Sequence, residues 1–344
     1  MNMVIFETAA AEESRYSSLA SRNPIRFVSS PLSPTNVKSF ADAEVISTAG
    51  NSKLNAEVLK VFGRLRLIAT RSTGFDHIDL SYCQDAGVSI CNVPDYGDPT
   101  VAEYAFALLL AFSRNIPEAV GRARRGDFSQ AALRGFDLDG KVIGVVGVGR
   151  IGRRMIQIAK GFGMTALGFD ARPDRELETR LGMRFVSLDE MLETCDVLSL
   201  HVPGGPGTRG LISARKLALM KSSAVLINTA RGDVIDAEAL IQALAEKRIA
   251  GAALDVFSQE PQLHDEAQIF RSGASPDLAG FRALAADHAL LACPNVLASA
   301  HIAYDTREAV ARILECTLAN IVAFEAGQPR NLVGVTRRIS PTAT

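Results

Sequence analysis

Lys141-Val-Ile-Gly-Val-Val-Gly-Val-Gly-Arg-Ile-Gly152 is the stretch whose reading decides the fold. Val142 to Val146 is a short apolar run suited to a buried strand, and it ends in Gly147-x-Gly149-x-x-Gly152. The following residues predict a helix. Ile151, Met155, Ile158, Ala159 and Phe162 share one face, and Arg153, Arg154, Gln157 and Lys160 the other. Gly147 allows a tight turn, Gly149 lets a pyrophosphate reach the backbone, and Gly152 lets helix and strand pack closely. The helix start then offers unpaired N–H groups to phosphate. A second strand, Met164 to Phe169, ends at Asp170. That acid lies roughly 20 residues past the turn, where a ribose hydroxyl needs an acceptor. The three glycines alone are a weak signal; strand, amphipathic helix and spaced acid together point to dinucleotide binding.

Strand–helix alternation extends downstream. Strands are expected at 142–146, 164–169, 184–186, 196–201, 224–228, 250–255 and 296–299, with helices between most of them. This is a doubly wound parallel sheet, whose ligand groups belong just beyond the strand C-termini. Those positions hold His201-Val-Pro203, Asn228-Thr-Ala-Arg-Gly232, Asp255 and His301. Upstream, strands are expected at Met3–Glu7, Ile25–Ser29, Val45–Ile46, Leu65–Thr70 and Val88–Cys91, with helices at Ala10–Ala20, Leu54–Phe62 and Ile78–Ala86. The first hundred residues therefore read as an α/β domain of their own. A long helix from about Val101 to Asn115 is apolar nearly all round and marks the crossing between domains. Gln262 to Ala292 breaks the rhythm as a long connection with an apolar stretch, Phe281 to Leu291. Asp305, with Glu308 three residues on, is expected to cap a final helix running to about Phe324.

A chain of 344 residues is long enough for two domains, and 47% hydrophobic with 22% charged residues is ordinary for a globular protein. The net charge of −1 supplies no field for nucleic acid or an anionic membrane. Five scattered cysteines, with no Cys-x-x-Cys and no Cys/His cluster at zinc spacing, argue against a metal site and for free thiols in a reducing cytosol. Met1 to Phe6 shows no signal-type segment, and Ala102 to Phe112 is too short to span a membrane.

Hydride transfer from a secondary alcohol needs a group to take the hydroxyl proton, and histidine titrates in the right range. It also needs a cation to hold the substrate anion and polarise the carbonyl, which arginine does through two N–H groups. A carboxylate beside the histidine would favour its charged form and fix its tautomer. The candidates are His301, Arg231 and Glu260. Singly, each has an ordinary structural explanation: a core histidine, a turn, a solvent-facing arginine. The argument rests on all three falling just past strands of a nucleotide-binding domain.

With these residues in view, the chain resembles the D-isomer-specific 2-hydroxyacid dehydrogenases over nearly its whole length. The motifs are Thr70-Arg-Ser-Thr-Gly-Phe-Asp-His-Ile-Asp79, Asn92-Val-Pro94 with Thr100-Val-Ala-Glu103, and Gly147-Val-Gly-Arg-Ile-Gly152. Later come Asn228-Thr-Ala-Arg-Gly-Asp233, Leu254-Asp-Val-Phe257 with Glu260-Pro261, Pro294-Asn-Val296 and His301-Ile-Ala303. The resemblance implies that Arg231 binds the 2-oxo acid, that His301 is the acid/base and that Glu260 is its partner. It implies that Ser72, Thr73 and Gly74 offer backbone N–H groups to the substrate carboxylate, with Tyr96 and Tyr304 flanking a small substrate as in the D-lactate dehydrogenase-like branch. Cofactor contacts would come from Thr100, Gly147, Gly149, Arg150, Ile151, Gly152 and Asp170. Val202, Pro203 and Thr208 would lie near the adenosine half and Thr229, Ala230 and Asp255 near the nicotinamide, with His201, Arg231, His301 and Ala303 as further cofactor contacts.

The implied layout is a Rossmann NAD-binding domain, residues 101–304, inserted in a flavodoxin-like α/β substrate domain made of residues 1–100 and 305–344. Bridging helices would lie near 101–115 and 305–324, the active site in the cleft, and a homodimer would form through the nucleotide domain. Asp170 should repel a 2′-phosphate and so favour NAD over NADP. Ala300 stands where many relatives have proline, and the segment from Glu260 to His301 is long for the family. The expected reaction is NAD-dependent reduction of a pyruvate-like 2-oxo acid to the D-2-hydroxy acid. A catalytically silent NAD(H) sensor, or a dehydrogenase of another small anion such as phosphite, are the alternatives. Formate is disfavoured, because formate dehydrogenases of this superfamily carry glutamine at the position of Glu260.

Overall fold

The computed structural model describes residues 1–260, 263 and 278–334. The chain divides into two compact units, one formed by residues 1–96 with 306 onward, the other by Gly97–Asp305.

In the first unit, five strands, β1 (Met3–Phe6), β2 (Ile25–Val28), β3 (Val45–Thr48), β4 (Leu67–Thr70) and β5 (Ser89–Cys91), form a sheet in the order β2-β1-β3-β4-β5. Neighbouring strands run parallel throughout. This order is that of the flavodoxin-like doubly wound fold. Strand residues here are apolar in runs because both faces are covered. Val4, Phe6, Ile46 and Ile68 enter one core layer with Leu54 and Val58. Met3, Ile5, Val45 and Leu67 enter the other, against Leu314 and Ile321 of the last helix, Arg307–Glu325.

At the C-terminal end of this sheet the buried Arg71 guanidinium donates to the carbonyls of Phe6 (2.6 Å) and Glu7 (2.8 Å) and to Ser47 Oγ (3.1 Å). A buried cation is tolerated because both of its terminal nitrogens donate to oxygen. A ring of amides ties the end of the chain to the sheet. Asn320 Nδ2 donates to the Asn92 carbonyl, Asn331 Nδ2 to Asn320 Oδ1, and the Asn92 amide to the Asn331 carbonyl.

The second unit carries seven strands: β6 (Val142–Val146), β7 (Thr165–Phe169), β8 (Arg184–Phe185), β9 (Val197–Leu200), β10 (Val225–Asn228), β11 (Gly251–Leu254) and β12 (Val296–Ala298). All pairs are parallel, in the order β12-β11-β10-β9-β6-β7-β8. The chain leaves β6 toward β7 on one side and returns to β9 on the other, so the β6/β9 gap is the switch point where such sheets bind ligands. Separate core layers cover the two faces, one around Leu198, Leu226 and Leu254, the other around Val145, Val197 and Ile227.

Several expectations are corrected. The helix expected over Ala10–Ala20 is three short turns, Ala10–Glu13, Ser14–Tyr16 and Ser17–Ala20, with Tyr16 and Leu19 buried. The helices expected over Leu54–Phe62 and Ile78–Ala86 contract to Ala56–Leu59 and Leu80–Asp85. Asn55 and Asp79 start them, each side chain accepting an amide of the first turn. The long helix starts three residues early, at Asp98, with Pro99 in its first turn.

The final helix is capped by Thr306, whose side chain accepts from the Ala309 amide, and not by Asp305. Its hydroxyl sits one residue closer to the first turn. On the helix after the glycines, Ile156 is buried while Phe162 is 42% exposed, because Phe162 stacks on Phe106 beside the surface (centroids 4.9 Å apart). Within the stretch read as a long connection, Leu278–Ala292 is a helix whose Leu284 and Leu290 are buried. Residues 261–262 and 264–277 lie outside the described residues. Among the described residues no helix is long and apolar enough to cross a membrane, no group of acids, histidines and cysteines could hold a metal, and all five cysteines are free.

Candidate active site

The glycine turn is built for close approach. Gly147 has φ +93°, and a Cβ there would sit 2.6 Å from the His201 carbonyl oxygen. A Cβ on Gly152 would collide with the Gly147 carbonyl, so helix and turn pack closer than alanine allows. Gly149 begins the helix Arg150–Gly161, and nothing lies within 4 Å of where its Cβ would be. That open space over a helix N-terminus fits a pyrophosphate. Asp170 follows β7, and each of its oxygens accepts one backbone amide, from Val148 and from Arg172, both at 2.9 Å. A carboxylate has further lone pairs for a ribose hydroxyl. Arg150 at the helix start holds Asp98 through Nε at 2.7 Å, and half-buried Ile151 packs behind it. Thr100 is buried in the first turn of Asp98–Ser113.

The other candidates line the same sheet edge. His201 follows β9; its Nε2 lies 2.9 Å from Ser199 Oγ, and burial pushes its pKa down to about 4, so it is neutral at pH 7. Thr208 Oγ1 donates to the Pro203 carbonyl at 2.7 Å, closing the loop that starts with Val202. After β10, Asn228 shapes the turn with both ends of its amide. It accepts from the Ala230 amide (3.0 Å) and donates to the Arg231 carbonyl (2.8 Å). Arg231 Nη1 donates to the Ala230 carbonyl at 2.8 Å. Thr229 Oγ1 is buried with no hydrogen-bond partner among the described residues, an orphan suited to a polar cofactor atom. Glycines, acid and orphaned hydroxyl together fit a dinucleotide.

Beyond β11 and β12 lie His301 and Glu260, joined by a hydrogen bond. His301 Nδ1 is 2.6 Å from Glu260 Oε2, and Glu260 Oε1 accepts the Phe257 amide at 2.8 Å. The hydrogen bond to Glu260 raises the His301 pKa above its ordinary value; burial and the nearby Arg231 cation oppose the rise, and Asp255 supports it. With Nδ1 engaged, Nε2 is the nitrogen left to face a substrate. His301 has φ +53°, a left-handed backbone that is uncommon outside glycine. Asp255, fully buried, holds it there. Its carbonyl accepts the His301 amide (2.9 Å), Oδ1 accepts Ser299 Oγ (2.6 Å) and the Ile302 amide (3.1 Å), and Oδ2 accepts the Ala303 amide (2.8 Å). Tyr304 follows, 39% exposed.

Glu260, His301 and the Arg231 turn thus gather in one unit. Ser72, Thr73, Gly74 and Tyr96 belong to the other. There Ser72 Oγ donates to the Gly74 carbonyl (2.6 Å) and Thr73 Oγ1 to the Val93 carbonyl (2.8 Å). Asn92 Nδ2 donates to the Thr73 carbonyl, also at 2.8 Å. The Tyr96 carbonyl accepts Arg312 Nε at 2.9 Å.

Sequence reasoning missed two residues here. Asn228 stood inside a quoted motif without a role, although an asparagine at a strand end before a turn is a local signal. Asp287, buried and accepting the Gln259 amide at 2.7 Å, gave no signal, since a lone acid in an apolar stretch reads as solvated.

Residues 106–303 match the model of the D-isomer specific 2-hydroxyacid dehydrogenase NAD binding domain. The chain is 35% identical over 305 residues to a 2-hydroxyacid dehydrogenase homolog of Zymomonas mobilis, spanning 88% of this chain and 89% of that protein. It is likewise 35% identical over 308 residues to a glyoxylate reductase of Korarchaeum cryptofilum, spanning 88% and 86%. The crystal structure of D-lactate dehydrogenase from Aquifex aeolicus complexed with NAD and lactic acid superposes with a TM-score of 0.86 at 32% identity, over 98% of this chain and 100% of that one. NAD is accordingly the cofactor of the matched domain. A dinucleotide cradle at the switch point of one doubly wound sheet, a second such sheet in flavodoxin order, and likeness at this level over almost the whole length lead to one conclusion: the chain belongs to the D-isomer-specific 2-hydroxyacid dehydrogenases, a family of NAD-dependent oxidoreductases.

Proposed function

We propose that the protein reduces a small, pyruvate-like 2-oxo acid to the D-2-hydroxy acid. The observation that carries this is the 2.6 Å His301–Glu260 hydrogen bond on the sheet edge that also presents Arg231. Bound NADH supplies the hydride for C2 of the substrate. His301 gives the proton on Nε2 to the carbonyl oxygen, so with the hydride on C2 the ketone becomes a secondary alcohol and the imidazole is left neutral. Glu260 holds Nδ1 and stabilises the charged imidazolium before transfer. Arg231 grips the substrate carboxylate and polarises the carbonyl. The Ser72–Gly74 loop offers backbone N–H groups to that carboxylate, and Tyr96 and Tyr304 bound the substrate side chain. In this reading residues 97–305 are the NAD-binding domain, and residues 1–96 with the final helix are the substrate domain.

The test is NADH consumption across pyruvate, glyoxylate, hydroxypyruvate and longer 2-oxo acids, with NADPH in parallel. Pyruvate with NADH should be turned over fastest, and NADPH poorly, since a 2′-phosphate would meet Asp170. Tight NADH binding with no turnover on any acid would favour the silent sensor. NAD reduction by phosphite alone would favour the other anion.

The protein is also proposed to be a cytosolic homodimer joined through this domain. Support comes from the exposed Ile116, Val120 and Phe162 and a groove of about 460 Å³ lined by Phe106, Leu110 and Ile158. Glu103 and Arg154 flank the same groove, charges that a two-fold axis can pair across copies. Sedimentation equilibrium at micromolar concentration should report a dimer that Phe162→Glu dissociates; a monomeric parent protein overturns this.

A further inference from the structure

Glu260 needs a fixed place to act on His301, and it stands just past the turn at Ser258 and Gln259. Two contacts fall on its own carboxylate: the Phe257 amide on Oε1, and His301 Nδ1 on Oε2. A further contact comes from elsewhere in the chain. The amide of Gln259, the residue before Glu260, donates to Asp287 Oδ2 at 2.7 Å. Asp287 sits on the helix Leu278–Ala292, has no exposed surface, and is flanked by the buried Leu284, Ala286 and Leu290. Its Oδ1 is also buried and has no well-formed hydrogen bond among the described residues, although the Ser258 amide faces the carboxyl. A carboxyl in such a place is costly to keep unless it does something the fold or the reaction requires.

Its surroundings say what that is. Asp287 lines a cavity of about 10 Å³, room for about one water, together with Ser258, Asn228 and Gly232. The Glu260 loop and the Arg231 turn touch directly here: a Cβ on Gly232 would fall 2.5 Å from the Phe257 carbonyl oxygen and the Ser258 amide. Asp287 therefore lies under the junction of the two segments that carry Glu260 and Arg231.

We propose that Asp287 is a positioning residue for the acid/base pair: by clamping the Gln259 amide to a rigid core helix it holds Glu260 in register with His301. The proposal rests on His301 and Glu260 being the acid/base pair. Burial raises the Asp287 pKa, the Gln259 and Ser258 amides oppose that, Glu260 adds to it and His288 opposes it. The groups facing His301 itself are Glu260, Asp255 and Arg231.

The experiment removes the clamp from either side. Asp287→Ala deletes the acceptor. Gln259→Pro deletes the donor from the loop and leaves the core carboxyl in place, so it reads the same contact if Asp287→Ala fails to fold. Asp287→Asn keeps an acceptor oxygen. His301 is titrated by NMR in each full-length variant, which needs no turnover, and kcat, KM and NADH affinity are measured alongside.

The expected result is a His301 titration displaced to lower pH in Asp287→Ala and Gln259→Pro and restored toward wild type in Asp287→Asn. kcat should fall about 10- to 100-fold, as a displacement of about 1 Å can produce, with NADH affinity unchanged. In a Glu260→Gln background the loss from Asp287→Ala should largely vanish. An unchanged His301 titration in the folded clamp variants, or losses that simply add to those of Glu260→Gln, overturns the proposal. A wild-type protein that turns over no 2-oxo acid yet shows the displaced titration overturns the dehydrogenase reading and leaves the positioning role standing.

Discussion

His301→Ala lowers kcat for 2-oxo acid reduction by about 10²–10⁴-fold, the range general acid–base catalysis contributes. NADH affinity stays within a few-fold, because the glycine turn and Asp170 that fit the dinucleotide follow β6 and β7, whereas His301 follows β12. The pH dependence follows from the raised His301 pKa. Reduction uses the protonated imidazole, so its rate is full at low pH and falls as pH rises through that raised value. Oxidation of the hydroxy acid uses the neutral form and rises over the same interval. Glu260→Gln removes the main cause of the shift, so both transitions move down toward the ordinary histidine value of 6.5.

The same shift bears on stability with a fixed sign. A histidine whose pKa rises on folding stabilises the protein below its unfolded pKa, and that contribution is lost as pH climbs past the folded one. With the His301 side chain 45% exposed, solvent screening keeps this effect small beside the catalytic one. A His301→Ala protein that keeps a tenth or more of the parent kcat would falsify the assignment.

Arg231→Ala is the second large effect. Removing one partner of a close charge pair costs about 2–5 kcal/mol, or roughly 30-fold to several thousand-fold in kcat/KM for the acid. The loss should appear in both kcat and KM if the guanidinium grips the carboxylate and also polarises the carbonyl. Arg231→Lys should recover little, since an ammonium cannot reproduce a two-pronged grip. The turn itself should survive, because Asn228 engages the Arg231 backbone carbonyl and not its side chain. A variant whose KM for every 2-oxo acid is unchanged while NADH binding collapses would transfer Arg231 from substrate to cofactor.

The seven-stranded sheet was legible because parallel strands buried on both faces announce themselves as apolar runs, and several of them end near a polar ligand position. His301, Glu260 and Arg231 were legible by the same token, as outliers past strand ends. What was not legible is everything that depends on a distant partner. Phe162 looked like a core residue by helical spacing, yet it lies at the surface against Phe106. Thr306 and Asp305 are both competent caps, and only the backbone path chose between them. Asp287 clamps an amide 28 positions away, a distance over which no local pattern operates. The left-handed backbone at His301 was equally hidden, since it depends on Asp255 reaching across from the neighbouring strand.

The split of the first unit has its own bearing on how the molecule comes to be. Its five strands are complete once Cys91 has been made, but one layer of their core waits for Leu314 and Ile321. The second unit, contiguous from Gly97 to Asp305, is synthesised whole in the interval. A nascent chain therefore holds a greasy, half-covered sheet while a complete domain emerges after it, and the amide ring of Asn92, Asn320 and Asn331 closes last of all.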